Sequence, residues 1–178
     1  MTQKRASDIL KMINPSKLVG IRKKDKMKLS TKGRYGLRAL IDLALYSDNE
    51  AVSISSIAGR QNISDSYLEQ LVRKLKKAGL VKSLRGAGGG YMLAKPAAEI
   101  SVGDVLRALE GDLDAVTCPG TQESSGCQSS DLCVTRYVWQ RINDSITQAV
   151  DSIMLEQLVE ESRRVQEQGQ GQPSDCNV

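Results

Sequence analysis

Three of the four cysteines in this chain fall close together, and thiols bind soft metals well. Cys118, Cys127 and Cys133 lie within sixteen residues, in the stretch CPGTQESSGCQSSDLC. The glycines and serines of this stretch allow tight turns that can bring three thiolates to one soft metal or iron–sulfur cluster. A structural zinc site is disfavoured, because no two cysteines have the usual separation of about two to four residues.

A metal-free thiol switch is compatible with the same cysteines. A disulfide framework is disfavoured, because the basic N-terminus lacks the continuous apolar segment of a secretory signal. No stretch approaches the ~18 apolar residues needed to span a bilayer, so a cytoplasmic protein without a membrane partner is expected. The residues by themselves therefore leave two possibilities open, a metal or cluster centre and a redox-active thiol group.

Charge divides the chain into a basic N-terminal part and an acidic C-terminal part. The net charge is +6 over residues 1–26, +7 over residues 27–96 and −9 over residues 97–178. A concentrated basic region is typical of proteins that bind nucleic acid. An enzyme is not expected, because the chain has no histidine and any nucleophilic cysteine would lack a base.

Residues 27–96 show the pattern of a winged helix-turn-helix. Two short helices are expected on either side of a turn at Asn62, with Ser64 capping the second helix and Gly79 ending it. The apolar face of the second helix is formed by Leu68, Leu71, Val72 and Leu75. Two strands around the glycine run RGAGGG then predict a wing. A phosphate-binding glycine loop is disfavoured, since a strand rather than a helix follows the glycines.

The polar face of this second helix carries the side chains predicted to contact DNA. Short polar groups in its first turn suit base edges in the major groove, and cations further along suit phosphates. Arg85 at the base of the wing is expected to reach the minor groove or its phosphates. Tyr67 is compatible with either a DNA contact or a place in the core. The predicted DNA-binding residues are Ser64, Ser66, Tyr67, Glu69, Gln70, Arg73, Lys74, Lys77 and Arg85.

One long helix is predicted from Cys133 to about Gln166, with apolar residues along one face. It has too little of its own chain to pack against, so pairing with a second copy is expected. The expected fold is mostly α-helical with a small β-wing and a long C-terminal dimerisation helix. Four regions follow: a disordered basic extension (1–26), a winged-helix DNA-binding domain (27–96), the cysteine loop with the dimerisation helix (97–166), and a disordered tail (167–178).

Three segments resemble the Rrf2 family of winged-helix regulators, and within it the iron–sulfur cluster regulators. They are MKLSTKGRYGLRALIDLAL, ISDSYLEQLVRKLKKAGLVKSLRGAGGGYMLAK and GCQSSDLCVTRYVWQRI. The resemblance covers residues 27–165. It implies a homodimeric transcriptional regulator, mainly a repressor, with a [2Fe–2S] cluster on Cys118, Cys127 and Cys133. Glu69 lies where the family discriminates between operator classes, and genes of iron–sulfur cluster assembly are the implied targets.

The chain departs from the family pattern at the cluster ligands. The interval from Cys118 to Cys127 is three residues longer, and Arg136 stands in the place of the family's histidine ligand. Glu123, Asp131 or an exogenous thiol would have to complete the cluster. The alternative function is a cluster-free regulator of cysteine metabolism, or a thiol-based redox or nitric-oxide sensor with the same fold.

Overall fold

A computed structural model describes residues 30–47, 50–86, 88–116, 118, 127 and 132–168. The described elements are α1 (Thr31–Tyr46), α2 (Ile54–Gln61), α3 (Asp65–Lys77), β1 (Val81–Leu84), β2 (Gly90–Leu93), a 3₁₀ turn (Ala97–Glu99), α4 (Val102–Glu110), α5 (Val134–Asp151) and α6 (Leu155–Gln168). β1 and β2 form an antiparallel hairpin. The expected class, mostly helical with a small β-wing, is confirmed. The predicted extension over 1–26 and residues 169–178 of the predicted tail lie outside the described residues, whereas residues 167–168 are helical.

Short polar side chains begin three of the helices. Ser30 caps α1, Ser64 caps α3, and Ser101 forms a capping box with Asp104 at the start of α4. Asn62 ends α2 in the left-handed conformation, with φ of 52°. Each cap gives a hydrogen-bond partner to backbone groups that a helix end leaves unsatisfied, so the boundaries are set locally.

One main hydrophobic core joins α1, α2, α3, β1, α4 and α6. Its largest fully buried side chains are Leu40, Leu43, Ile57, Leu68, Leu71, Leu75, Ile100, Val105, Leu109 and Leu155. Burying one such side chain contributes about 1.5–3 kcal/mol. The core therefore continues beyond residue 96, and α4 and α6 pack on the winged helix as part of the same unit.

The single helix expected from Cys133 to about Gln166 is two helices in the structure, so this prediction was wrong. The Val102 N–H donates to the Ile153 carbonyl at 2.9 Å, and the Leu155 N–H donates to the Ile100 carbonyl at 2.8 Å. These bonds attach the junction between α5 and α6 to the segment before α4. The chain then turns, and the first residue of α6 enters the core. The apolar spacing continues through the break, so it gave no sign of this turn.

α4 packs closely on α1 and also provides a cap for it. A Cβ on Gly36 would lie 2.2 Å from Cδ1 of Leu109, so this position requires glycine. At the end of α4, Glu110 Oε1 accepts hydrogen bonds from the Ser30 N–H at 3.0 Å, the Ser30 hydroxyl at 2.5 Å and the Gly33 N–H at 2.9 Å. A carboxylate at a helix N-terminus is also stabilised by the helix dipole. Glu110 therefore fixes the start of α1 against the end of α4.

An ion pair between buried Asp42 of α1 and partly exposed Arg60 of α2 holds α2 on α1. Asp42 is 3% exposed and accepts hydrogen bonds from Nη2 of Arg60 at 2.6 Å, from its Nε at 2.9 Å, and from the Gln61 amide at 2.9 Å. The Arg60 guanidinium also lies over the ring of Tyr46, 4.2 Å from its centroid. The Arg60 side chain is 34% exposed, so solvent screens part of the attraction, but the three hydrogen bonds to Asp42 still restrain the position of α2.

Replacing Glu110 by Gln is expected to destabilise the protein at neutral pH and much less in acid. Burial alone raises the pKa of Glu110, but hydrogen bonds from Ser30 and Gly33 outweigh it and hold the pKa below its ordinary value. The charged form therefore contributes stability above the unfolded pKa of about 4.3. This contribution is lost as the pH falls through the folded pKa.

Urea denaturation of wild type and Glu110→Gln, from pH 7 down to pH 3, measures this effect. The difference in unfolding free energy between the two proteins should shrink below about pH 4. Glu50→Gln, at an exposed position outside the helices, controls for the loss of one negative charge. A difference for Glu110→Gln that stays constant across this range would contradict the assigned role of the charge.

Candidate nucleic-acid interface and cysteine segment

α3 turns one face to the core and presents the opposite face to solvent. Leu68, Leu71, Val72 and Leu75 are buried, at 0–3% exposure. The exposed members of the predicted DNA-binding set on and beside this helix are Ser64, Ser66, Glu69, Gln70, Arg73, Lys74 and Lys77. The structure thus brings short polar groups and cations together on one helix surface, as the apolar spacing predicted. Such a helix can enter a major groove.

Tyr67 differs from these exposed side chains. Its ring lies edge-on to the ring of Tyr35 in α1, with centroids 6.0 Å apart and planes at 88°. Its hydroxyl is buried and has no hydrogen-bond partner among the described residues. A buried hydroxyl cannot reach a phosphate in this arrangement. Of the two interpretations left open by the sequence, the structure favours a packing role for Tyr67, which supports α3 on α1.

Two lysines of α3 bind other parts of the protein. Lys74 Nζ donates to the Leu109 carbonyl at the end of α4, at 2.7 Å, and Lys76 Nζ donates to the Ser83 hydroxyl of β1, at 2.6 Å. Lys74 therefore positions α3 against α4, and its predicted phosphate contact stays a prediction, because an ammonium group has further N–H donors. Sequence reasoning missed this role, because a lysine on the polar face of a helix looks the same whether or not a carbonyl lies within its reach.

The wing is fixed to the segment that leads into α2. Val52 and Tyr91 exchange two backbone hydrogen bonds of 2.8 Å, which add a one-residue bridge to the hairpin. A Cβ on Gly90 would lie 2.6 Å from the Val52 carbonyl oxygen, so only glycine allows this approach. Gly86 has a φ of 116°, which favours glycine at the turn. Arg85 follows β1 directly and is exposed.

Three exposed cations on α3 and beside the wing lack a carboxylate partner in the described part of the chain. Arg73, Lys77 and Arg85 are exposed, and none forms an ion pair with another residue in the described part of the chain. Unpaired cations on one surface favour binding to a polyanion, because neutralising phosphates releases condensed counterions. The exposed face of α3 and Arg85 beside the wing therefore combine polar groups suited to bases with cations suited to phosphates.

The cysteine segment leads from α4 to α5, and Cys118, Cys127 and Cys133 are each half-buried. Cys133 immediately precedes α5, and its Sγ lies 3.1 Å from the hydroxyl oxygen of Thr135. Hydrogen bonds from Thr135 and from the backbone of Arg136 lower the pKa of the Cys133 thiol. A lowered pKa favours the thiolate, which is the form that ligates metals.

The donor chemistry of this segment suits a thiolate-bound centre, but the ligands are not gathered in advance. Within the described ranges, no three Cys, Asp or Glu side chains lie together closely enough to hold a metal ion. Glu123 and Asp131, the predicted fourth ligands, lie outside the described residues, as does Cys176. Three soft donors, one of them biased towards the thiolate, fit an iron–sulfur cluster that would itself bring them together.

α5 contacts its own domain through its C-terminal half, where Val150 packs on the cluster of Val102, Leu106 and Leu113. Its Asp151 accepts a 2.7 Å hydrogen bond from Arg107 of α4, and its Asn143 accepts a 3.0 Å hydrogen bond from the Ala115 N–H. No residue of this 18-residue helix is buried. Its exposed apolar side chains include Val134 (84%), Tyr137 (68%) and Val138 (46%).

No helix in the described part of the chain is long and apolar enough to cross a membrane.

Comparison with known protein families matches residues 29–161 to Rrf2, described as iron-dependent transcriptional regulators. The chain belongs to the Rrf2 family. The HTH-type transcriptional regulator IscR of Photorhabdus laumondii is 47% identical over 133 residues, which are 75% of this chain and 79% of that protein. IscR of Escherichia coli is 45% identical over 133 residues, 75% of this chain and 80% of that protein.

Solved structures of two relatives have the same fold. T. potens IscR is 43% identical with a TM-score of 0.62, covering 81% of this chain and 93% of that one. CymR, the global cysteine regulator of B. subtilis, is 42% identical with a TM-score of 0.62, covering 75% of this chain and 97% of that one. This Rrf2 protein is therefore a winged-helix, DNA-binding transcriptional regulator.

Gln70 and Lys77 are expected to contribute to DNA binding in different ways. Gln70→Ala should cost roughly 1–3 kcal/mol on a cognate operator and little on random DNA, because a glutamine amide reads base edges. Lys77→Ala should weaken binding to every duplex and reduce the slope of log affinity against log salt by about 0.9 per lost phosphate contact. Fluorescence anisotropy over a salt series measures both effects.

The operator for this test is obtained by selection from random duplexes with the wild-type protein. Arg164→Ala, on α6, serves as the control for removal of a cation away from α3 and the wing. If Gln70→Ala and Lys77→Ala lost the same free energy on operator and random DNA, the division into base and phosphate contacts would be wrong.

Proposed function

We propose that this protein is a homodimeric repressor whose operator binding responds to a [2Fe–2S] cluster held by Cys118, Cys127 and Cys133. Genes of iron–sulfur cluster assembly are its proposed targets. The observation that carries the proposal is the place of Cys133, whose thiol has a lowered pKa and lies where the cysteine segment meets α5. Membership of a family described as iron-dependent regulators supports it.

When bound, a [2Fe–2S] cluster would supply a redox-sensitive cross-link between thiolates of the segment. The chain's own residues then determine what such a cross-link changes. Cys118 follows the end of α4 by eight residues, and Cys133 immediately precedes α5. Bringing these two thiols together would restrict the conformations of the segment that joins α4 to α5. The position of α5 relative to α4 would then depend on the state of the cysteines.

The end of α4 is the part of the domain through which this restriction reaches the DNA-binding surface. The Leu109 carbonyl accepts a hydrogen bond from Lys74 of α3, and the Glu110 carboxylate accepts hydrogen bonds from the first turn of α1. The cysteine segment begins at the next residue, Gly111, whose φ is 94°. A change in the segment therefore acts directly on the element that positions α3, which supports a link between the cysteines and operator affinity.

The fourth ligand is proposed to come from Glu123, Asp131 or an exogenous thiol. Arg136 stands in the family's histidine position, and a guanidinium stays protonated and cannot donate a lone pair to iron. An oxygen or thiol ligand would distinguish this chain from relatives with histidine. Substitution of Glu123 or Asp131, whichever supplies the ligand, is expected to alter the visible spectrum of the cluster and to lower the amount of iron and sulfide that the protein retains.

A second copy of the chain is the proposed partner of the exposed face of α5. An 18-residue helix without buried residues, carrying several exposed apolar side chains, is poorly explained by its own protomer. Isolated surface helices gain most of their stability from packing an apolar face. Pairing of α5 between two protomers would bury this face and place two copies of α3 at a fixed separation, as operators with two half-sites require.

Val138→Asp is expected to convert the dimer into a monomer and to weaken operator binding strongly. Val138 is 46% exposed in the protomer, so a charge there disturbs folding little but would be buried at a paired α5. Analytical ultracentrifugation measures the association state, and anisotropy measures operator affinity.

Val165→Asp, the same substitution on α6 at 59% exposure, is the matched control. It should leave the dimer intact. A Val138→Asp protein that sediments as a dimer with wild-type affinity would place the interface elsewhere.

Alanine at Cys118, Cys127 or Cys133 is expected to abolish the cluster, whereas Cys176→Ala should retain it. Each loop cysteine supplies one of three thiolates, and loss of one leaves too few protein ligands for a stable centre. The measurements are iron and sulfide content and visible absorption after anaerobic purification, followed by operator affinity. The variants should still fold and dimerise, as checked by circular dichroism and sedimentation. Wild-type protein that holds neither iron nor sulfide, with operator affinity indifferent to all three cysteines, would refute the proposal.

The alternative function is a cluster-free regulator of cysteine metabolism. Two observations favour it: the arginine at position 136, and a similarity to the global cysteine regulator CymR that matches the similarity to IscR in TM-score. A metal-free thiol or nitric-oxide sensor uses the same residues. In these cases the cysteine variants would retain the fold and the dimer, and the wild-type protein would purify without iron or sulfide.

A further inference from the structure

We propose that Arg38 of α1 binds a DNA phosphate, although it lies outside both α3 and the wing, and that it adds affinity without sequence preference. The inference rests on DNA binding through α3 and adds a residue that the sequence pattern did not predict. Three observations carry it: the place of Arg38 beside the helix-turn-helix, the neutral groups that hold its guanidinium, and the lack of a carboxylate partner.

Arg38 lies where α1 meets the turn between α2 and α3. Its Nε donates to Oε1 of Gln61, the last residue of α2, at 3.1 Å, and its Nη2 approaches the Gln61 carbonyl oxygen at 3.5 Å. Ser64, the N-cap of α3, follows three residues after Gln61. Arg38 is therefore attached to the chain just before the end of α3 that carries the short polar groups predicted to read bases.

An aromatic contact joins the same part of α1 to the start of α3. The guanidinium carbon of Arg38 lies 5.7 Å from the centroid of the Tyr35 ring, which belongs to the preceding turn of α1. The Tyr35 ring packs edge-on to Tyr67 in the first turn of α3. A DNA strand whose bases are read by that first turn carries phosphates on both sides of those bases. Arg38 lies on the side of α3 where such a phosphate would pass.

Neutral groups hold the guanidinium of Arg38 in place. The Gln61 amide donates to Asp42 through Nε2 at 2.9 Å, so its Oε1 is turned towards Arg38. The charge of Asp42 is already balanced by Arg60, which donates to it from Nε and Nη2. This network therefore contains two cations and one anion, and the positive charge of Arg38 is the one left without a counter-charge.

The donors of Arg38 are largely available to a ligand. The side chain is exposed and forms no ion pair with another residue in the described ranges. Its contacts with Gln61 occupy at most two of the five N–H groups of a guanidinium. A planar guanidinium can bind two phosphate oxygens at once, and one that is already restrained loses less conformational entropy when it does so. A phosphate is the partner that fits this charge and geometry.

α6 offers an alternative partner for Arg38 within the protomer. Glu161 of α6 lines the same groove as Arg38. Glu161 already forms an ion pair of 2.9 Å with Arg164, on the next turn of α6. The carboxylate therefore has a cation of its own, which favours DNA as the partner of Arg38.

The test replaces Arg38 by Gln and by Lys in the full-length chain. Binding to the selected operator and to a random duplex is measured by fluorescence anisotropy over a salt series. Arg38→Gln should make the slope of log affinity against log salt shallower by about 0.9, the value for one lost phosphate contact. Affinity should fall roughly tenfold on both duplexes, as for one hydrogen bond to a charged group, and leave their ratio unchanged.

Arg38→Lys should keep the wild-type slope and recover part of the affinity, because it retains the charge without the planar fork. Lys95→Gln, at an exposed position beyond the end of β2, is the matched control for loss of one cation and should leave the slope unchanged. Thermal unfolding of each variant checks the fold.

An unchanged salt slope for Arg38→Gln would overturn the inference, and a lowered thermal stability in that case would assign the cation to Glu161 instead. Lys77→Ala in the same series separates this failure from that of the DNA-binding surface. If Lys77→Ala makes the slope shallower and Arg38→Gln does not, only the role of Arg38 is wrong. If neither variant alters the slope, the assignment of α3 as the DNA-binding helix is wrong as well.

Discussion

The C-terminal end of α4 is the point on which the arrangement of the DNA-binding elements depends. One residue, Glu110, accepts the N–H groups that begin α1, and its neighbour Leu109 accepts the ammonium group of Lys74 in α3. Gly36 allows α1 to approach Leu109 at a distance that a larger residue would forbid. Charge-assisted hydrogen bonds of this kind are stronger than neutral ones and strongly directional. They define how α1 and α3 lie relative to each other.

The same point of the fold is where the cysteine segment begins. The chain leaves α4 at Gly111, passes Cys118 and Cys127, and enters α5 at Cys133. None of the three cysteines belongs to the hydrophobic core. Under the proposed function, a ligand on the thiols would therefore act between the end of α4 and the start of α5, outside that core.

The charged side chains of the described residues fall into two groups, cations without an ion pair and cations that join helices. Arg73, Lys77 and Arg85 on α3 and beside the wing are exposed and make no ion pair with another described residue. Two ion pairs, Arg60–Asp42 and Arg107–Asp151, join one helix to another. The pair of buried Asp42 and partly exposed Arg60 holds α2, which precedes α3 in the helix-turn-helix. A protein that binds a polyanion benefits from this separation, since cations already paired with carboxylates release few counterions. The charges of Asp42, Arg60 and Arg107, which join helices, are therefore different residues from the exposed cations Arg73, Lys77 and Arg85. Lys74 is exposed and also joins α3 to α4.

The amino-acid sequence by itself determined the features that depend on near neighbours in the chain. The turn at Asn62, the cap at Ser64, the buried face of α3 and the hairpin after it follow from local hydrogen bonding and from apolar spacing. The family and the winged-helix fold were recognisable from the residues, and so was the proximity of the three cysteines along the chain.

Only the tertiary structure decided the features that depend on partners distant in sequence. The break between α5 and α6 arises because Ile153 and Leu155 bond to residues around α4, about fifty positions earlier, and a continuous apolar pattern hides such a turn. Lys74 binds a carbonyl 35 residues away. The Tyr67 hydroxyl is buried, and the Tyr67 ring packs edge-on to Tyr35 of α1, which lies 32 positions earlier in the chain. Each of these outcomes depends on where a second element packs, and helical periodicity specifies which face is buried without specifying what covers it.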